Sequence, residues 1–234
     1  MQERSGAPVY MMEAEIPFSR RLWGTTEAGP FVEYLIRHGM GREMAEPAAA
    51  AVRYGLPLPE EILPLRTGER IQFGDDAARV IHVPGHADHQ LVLHDERRGF
   101  LFAADHLLLV ITPNIGLWPE SEPHPLARYL ESLSALRSLD AGIVLPGHGP
   151  VFHDLDGRID GLLRHHKERL DLMRRVIESG PKTPYAVSRE VFRGAVTLHQ
   201  RCFALVETLA HLDHLALESR AERVEDGAIA FEGK

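Results

Sequence analysis

Residues 83–89 read Val-Pro-Gly-His-Ala-Asp-His and follow the apolar run Ala77 to His82. The tripeptide Pro-Gly-His returns at 146–148, after Ile143-Val144-Leu145. Proline removes a backbone donor and glycine admits a tight reversal. Each tripeptide therefore ends a strand and presents an imidazole at its rim. Between the two, Asp105 closes a third apolar run, Phe100 to Ala104. His86, Asp105 and His148 thus stand at the carboxyl ends of strand-like runs, where open α/β sheets gather their ligands. Imidazole and carboxylate suit zinc, with manganese or iron as alternatives.

Outward from this stretch the periodicities change three times. Residues 7–13 read as a short strand. Two helical stretches follow before residue 54, and Pro47 is expected to kink or divide the second. Residues 56–65, rich in proline, read as a connector. From 69 to 105 the pattern is of strands, with a hairpin turn at Glu96-Arg97-Arg98-Gly99. Leu126, Tyr129, Leu130, Leu133, Leu136 and Leu139 recur at helical spacing behind Pro125. Strands alternating with helices indicate an α/β layered domain, placed at 1–155. Residues 156–234 read as a second domain: a long amphipathic helix, a helix capped by Thr183 with Pro184 at its first position, a third helix, and a strand pair about Asp226-Gly227. That order is a winged-helix pattern.

The chain has 234 residues, enough to bury a real core. Its net charge of -8 argues against strong non-specific attraction to nucleic acid or anionic lipid. From Asp156 onward 13 Lys and Arg balance 13 Asp and Glu, so the second domain lacks the basic excess of a duplex binder. Cys202 is the sole cysteine, which excludes an intrachain disulfide and fits a reducing compartment. No apolar run approaches the roughly 18–20 residues of a membrane helix, and the first residues lack the pattern of a secretory signal. A cytoplasmic protein is expected.

The order Pro-Gly-His, then Ala-Asp after an apolar strand, then Pro-Gly-His-Gly-Pro resembles the later motifs of the metallo-β-lactamase superfamily. Asp105-His106-Leu107-Leu108, Ile111 to Pro119 and the tail from Ala204 resemble its branch of hydrolases with a C-terminal winged helix. A related branch includes an endoribonuclease. The resemblance implies an αββα sandwich and a two-metal site in which His86 completes one ligand set, Asp105 bridges, and His148 completes the other. The family's first motif, H-x-H-x-D-H, occurs nowhere in the sequence. His86-Ala87-Asp88-His89 matches its last four positions, but residue 84 is proline and a hairpin follows where a helix should. Asp88 and His89 are therefore expected around the ligands rather than among them. Asn114 and Trp118 are placed at a pocket mouth, and His106 and His124 are pocket candidates.

The fold expected is thus α/β: an incomplete αββα sandwich without its first strands, followed by a small winged-helix domain. The resemblance implies a metal-bound hydroxide attacking an ester, thioester or phosphodiester of a small-molecule substrate. With the first-motif aspartate absent, impaired activity is expected of this chain. An RNA-processing endonuclease and a non-catalytic association module are the alternatives. Exposed sheet edges predict a homo-oligomer, with no membrane partner and nucleic acid less favoured.

Overall fold

The computed structural model describes residues 6–24, 28–52 and 58–234. They form a mixed α/β chain of two packing units, neither of them contiguous in sequence.

The first unit opens with strand β1 (Tyr10–Met12) and helix α1 (Glu15–Gly24). Strand β2 (Leu63–Leu65) pairs with β1 in parallel, Met11 opposite Pro64. The Pro-rich connector is thus partly strand. Leu63 N donates to Val9 O at 2.8 Å and Glu13 N to Leu65 O at 2.9 Å, so the bonds fall on either side of Pro64, which has no N–H to give.

A five-stranded sheet follows, in the order β3 (Arg70–Phe73), β4 (Asp76–His82), β5 (Leu91–Asp95), β6 (Phe100–Ala104) and β7 (Ile143–Pro146). The first four strands meander antiparallel, and β7 returns parallel to β6. Alternation along β4 buries Ala78 and Val80 on one face, as a half-buried strand requires. At the hairpin between β5 and β6, Asp95 Oδ1 accepts from the N–H groups of Arg97 and Arg98, both at 3.1 Å. A side-chain oxygen thereby builds the turn. Helix α4 (Pro125–Leu136) carries the chain back toward β7, with Tyr129, Leu133 and Leu136 buried at its helical stripe.

The second unit gathers helices α2 (Gly29–Arg37) and α3 (Arg42–Val52), helix α5 (Leu155–Ile177) from Leu162 onward, α6 (Pro184–Val191), α7 (Leu198–Leu217) and the hairpin β8 (Ala221–Asp226) with β9 (Ala228–Gly233). Its core joins Phe31, Leu35 and Met40 to Cys202, Leu205 and Leu209. Pro47 does not divide α3, which runs through it. Pro47 and Glu43 are both exposed, so water can reach the carbonyl that proline leaves unbonded, while Ala45, Ala48 and Ala49 hold the buried face. Thr183 caps α6, accepting from Ala186 N, with Pro184 at its first position. A capping box of Thr197 and Gln200 opens α7.

Candidate metal centre

Both Pro-Gly-His turns are held by close approach. At the first, Val83 N donates to Gln90 O at 2.8 Å and Gly85 N to Ala87 O at 3.1 Å, closing the loop behind β4. Gly85 has φ +148°, and a Cβ there would lie 2.6 Å from Tyr129 Cβ. At the second, Gly147 N donates to Ala104 O at 2.7 Å. A Cβ on Gly147 would lie 2.5 Å from Asp105 Oδ1 and 3.1 Å from the Ala104 carbonyl carbon. Glycine is required in one turn by an aromatic ring and in the other by the carboxylate itself. The end of β6 is also unusual. Its register shifts between Phe102 and Ala104, and Ala104 takes φ +46°, a left-handed conformation costing roughly 1–2 kcal/mol.

These devices bring the three predicted ligands together. His86 Nε2 lies 3.8 Å from Asp105 Oδ2, and His148 Nε2 lies 3.5 Å from Asp105 Oδ1. Each imidazole addresses a different carboxylate oxygen. Neighbouring donors of a tetrahedral ion with bonds of about 2.0–2.1 Å stand about 3.3 Å apart, close to these separations. The set suits a bridging carboxylate with one imidazole on each side. It falls short of a cage for a single ion: among the described residues no group of three or more His, Cys, Asp or Glu side chains is arranged to hold a metal. His86 and Asp105 are one-third exposed, and His148 is 71% exposed, so the centre is open to solvent.

Behind the carboxylate lies a polar layer that joins His106, a candidate from the sequence, to partners that the sequence did not reveal. With its amide oxygen inward, Gln90 accepts from Asp105 N and His106 N, both at 3.1 Å; the reverse orientation would set two donors against two donors. The His106 ring is buried, stacked edge-on against Tyr129, and its Nε2 lies 3.3 Å from Ser132 Oγ. Burial, helped by the charge of His86, pulls His106 down to about 3 and keeps it neutral. Arg158 donates from Nε to Leu108 O at 2.6 Å and from Nη2 to Ile111 O at 2.8 Å, fixing the loop that follows Asp105.

The other predicted residues have contacts of their own. Asp88 offers its carbonyl to His82 Nε2 at 2.9 Å, and the His89 ring stacks 6.0 Å from that of His82, so this loop folds back on the end of β4. Asn114, Trp118 and His124 belong to the second unit. There Asn114 Nδ2 donates to Glu207 Oε2 at 2.8 Å, Trp118 packs against Phe31 and Phe203, and His124 Nδ1 meets Asp213 Oδ2 at 2.9 Å. A cavity of about 470 Å³ beside β1, β2 and β3 has Tyr10, Leu65 and Arg70 in its wall and none of the candidate ligands.

A family model described as the metallo-beta-lactamase superfamily matches residues 1–148. The chain belongs to that superfamily. A second model, the metallo-beta-lactamase-like C-terminal domain, matches residues 170–234. Among solved structures, a metallo-beta-lactamase family protein from Thermus thermophilus superposes with a TM-score of 0.84 at 32% identity, over 97% of this chain and 72% of its own. A beta-lactamase domain protein from Burkholderia ambifaria gives 0.81 at 29% identity, over 97% and 65%. The probable metallo-hydrolase YqjP of Bacillus subtilis is 31% identical over 59% of this chain and 44% of its own length. The atrochrysone carboxyl ACP thioesterase dmxR1 of Cryptosporiopsis is 28% identical over 72% and 52%. The chain thus spans about half the length of the curated relatives it matches. The superfamily match covers both Pro-Gly-His turns and Asp105.

Proposed function

We propose that this chain carries the later half of the metal site of a hydrolase acting on an ester-like or thioester-like small molecule. The observation that carries the reading is the placement of His86 and His148 on opposite oxygens of Asp105. The names of the relatives support it, one a probable metallo-hydrolase and one an acyl-carrier thioesterase. Zinc is the metal we favour, with manganese or iron also suited to imidazole and carboxylate. A bound divalent metal supplies Lewis acidity and lowers the pKa of a coordinated water. Asp105 would bridge, and each imidazole would hold one side. Since the described residues complete neither ligand set, we expect weak binding and low turnover from these three donors alone.

We read α5, α6, α7 and the β8–β9 hairpin as a winged-helix module that serves packing or association. The charge balance beyond Asp156 supports that role over nucleic-acid binding. A homo-oligomer is proposed on the outer edge of β3; at β7, Phe152 already bridges Val144. The buried free thiol of Cys202 is in keeping with a reducing compartment, where we place the protein. Among the described residues no helix is long and apolar enough to cross a membrane. The hydrolase reading is tested by turnover of an aryl ester and an acyl thioester with and without added Zn²⁺. Metal-dependent hydrolysis lost in Asp105→Asn supports it. Hydrolysis indifferent to both metal and Asp105 overturns it.

A further inference from the structure

Resting on that reading of Asp105 and His86, we propose that His106 and Ser132 are positioning residues. Together they tie the first Pro-Gly-His turn to the strand end that carries Asp105.

Three segments far apart in sequence meet at one hydroxyl. Ser132 Oγ lies 2.9 Å from Pro84 O, 3.0 Å from Tyr129 O and 3.3 Å from His106 Nε2. A hydroxyl has one proton, and both carbonyls can only accept. Pro84 O is the nearer of the two carbonyls and takes the serine proton, so the ring nitrogen is the donor to Oγ. This fixes His106 as the tautomer protonated on Nε2. The ring then holds Ser132, and Ser132 holds the carbonyl that precedes Gly85 and His86. Tyr129 adds a second strand to the tie, because its hydroxyl donates to His106 O at 3.1 Å while its ring fills the space a Cβ on Gly85 would need. Gln90 closes the far side by accepting from Asp105 N and His106 N.

A leucine at 106 and an alanine at 132 would fill the same volume without burying polar atoms. His106 Nδ1 is in fact buried with no hydrogen-bond partner among the described residues, a cost that an apolar side chain would avoid. The polar pair gives direction rather than bulk. It sets the backbone of residues 84–86 at a fixed distance from that of residues 105–106, and hence His86 Nε2 against Asp105 Oδ2.

The test uses Ser132→Ala and Ser132→Thr in the full chain, with thermal melting to confirm that both fold. Backbone amide shifts in the metal-free protein form the first readout. We expect Ser132→Ala to move Gly85, His86, Asp105 and His106 together, and Ser132→Thr to restore them. Movement confined to the helix, or to one of the two segments, overturns the proposal, as does failure of Thr to differ from Ala. Titration with Co²⁺, followed by its visible absorption, is the second readout. Groups that orient ligands are worth about 10–100-fold in metal affinity, so a loss of about 10-fold in Ser132→Ala with recovery in Thr is expected. Unchanged Co²⁺ affinity in Ser132→Ala, alongside loss in His148→Ala, overturns the positioning role and leaves the metal reading intact. Affinity unchanged in His148→Ala overturns the metal reading, while the amide shifts still decide the tie.

Discussion

The second Pro-Gly-His turn shows how much one missing side chain matters. Gly147 stands where any Cβ would press on the Asp105 carboxylate and on the backbone of Ala104. Backbone does not yield as a flexible side chain does, so Gly147→Ala must displace the turn or the carboxylate. Overpacking of this kind typically costs about 1–3 kcal/mol. We expect a urea midpoint lowered accordingly, with the metal affinity reduced as well. A midpoint and affinity equal to the parent's would mean that the turn is looser than described. The repeat was legible in sequence because Pro-Gly-His acts through its own backbone. Gln90 and Ser132 were not, since nothing near either residue reveals that it bonds to a segment met only through the fold. The expectation that Asp88 and His89 stand beside the ligands rather than among them remains a proposal; what is found is that their loop folds back on His82.

At the scale of elements, helices α5 and α7 bury a histidine relay whose consequence is acid sensitivity. His211 Nδ1 lies 2.8 Å from Glu207 O, an acceptor only, so that nitrogen carries the proton. Its Nε2 then accepts from His166 Nδ1 at 3.2 Å. Burial pulls His166 down to about 2 and His211 down to about 3, with His165, His214 and Arg169 adding repulsion. In the unfolded chain both bind a proton near pH 6.5. Their contribution is therefore complete above about 6.5 and is lost as pH falls toward 3, by roughly 2 kcal/mol per imidazole at pH 5. Glu207 works in the opposite sense. Burial lifts its carboxyl to about 7, so between about 4.5 and 7 the folded state holds more protons there and gains as pH falls. Melting at pH 7.5 and pH 5 should show a net acid loss, steeper in Glu207→Gln and flattened in a variant with both His166 and His211 replaced by Met. Equal pH slopes in all three proteins would refute the relay. The long helices were readable from their period and the Thr183 cap of α6 from its residues, whereas the Thr197 cap of α7 emerges from the structure; Thr197→Ala should cost about 1 kcal/mol in a urea melt. Strand β2 was not readable, because a three-residue strand containing proline is defined by its partner β1 and not by its own pattern.

For the whole molecule, sequence order and packing order differ. Helices α2 and α3 precede the five-stranded sheet in the chain yet pack with α7. A linear reading places boundaries where composition shifts and has no means of seeing that exchange. Assembly is an expectation at this scale: light scattering at tens of micromolar should give a mass above that of one chain, and a clean monomer would count against the oligomer. The central claim is that Asp105 bridges between His86 and His148 as a metal-binding carboxylate. Its most direct test is Co²⁺ or Zn²⁺ titration of the parent beside Asp105→Asn and His148→Ala, with metal per chain read after dialysis. Weak, saturable binding by the parent is expected, falling at least about 10-fold in each variant. Affinity that survives both substitutions, or a parent that binds no metal, would contradict it.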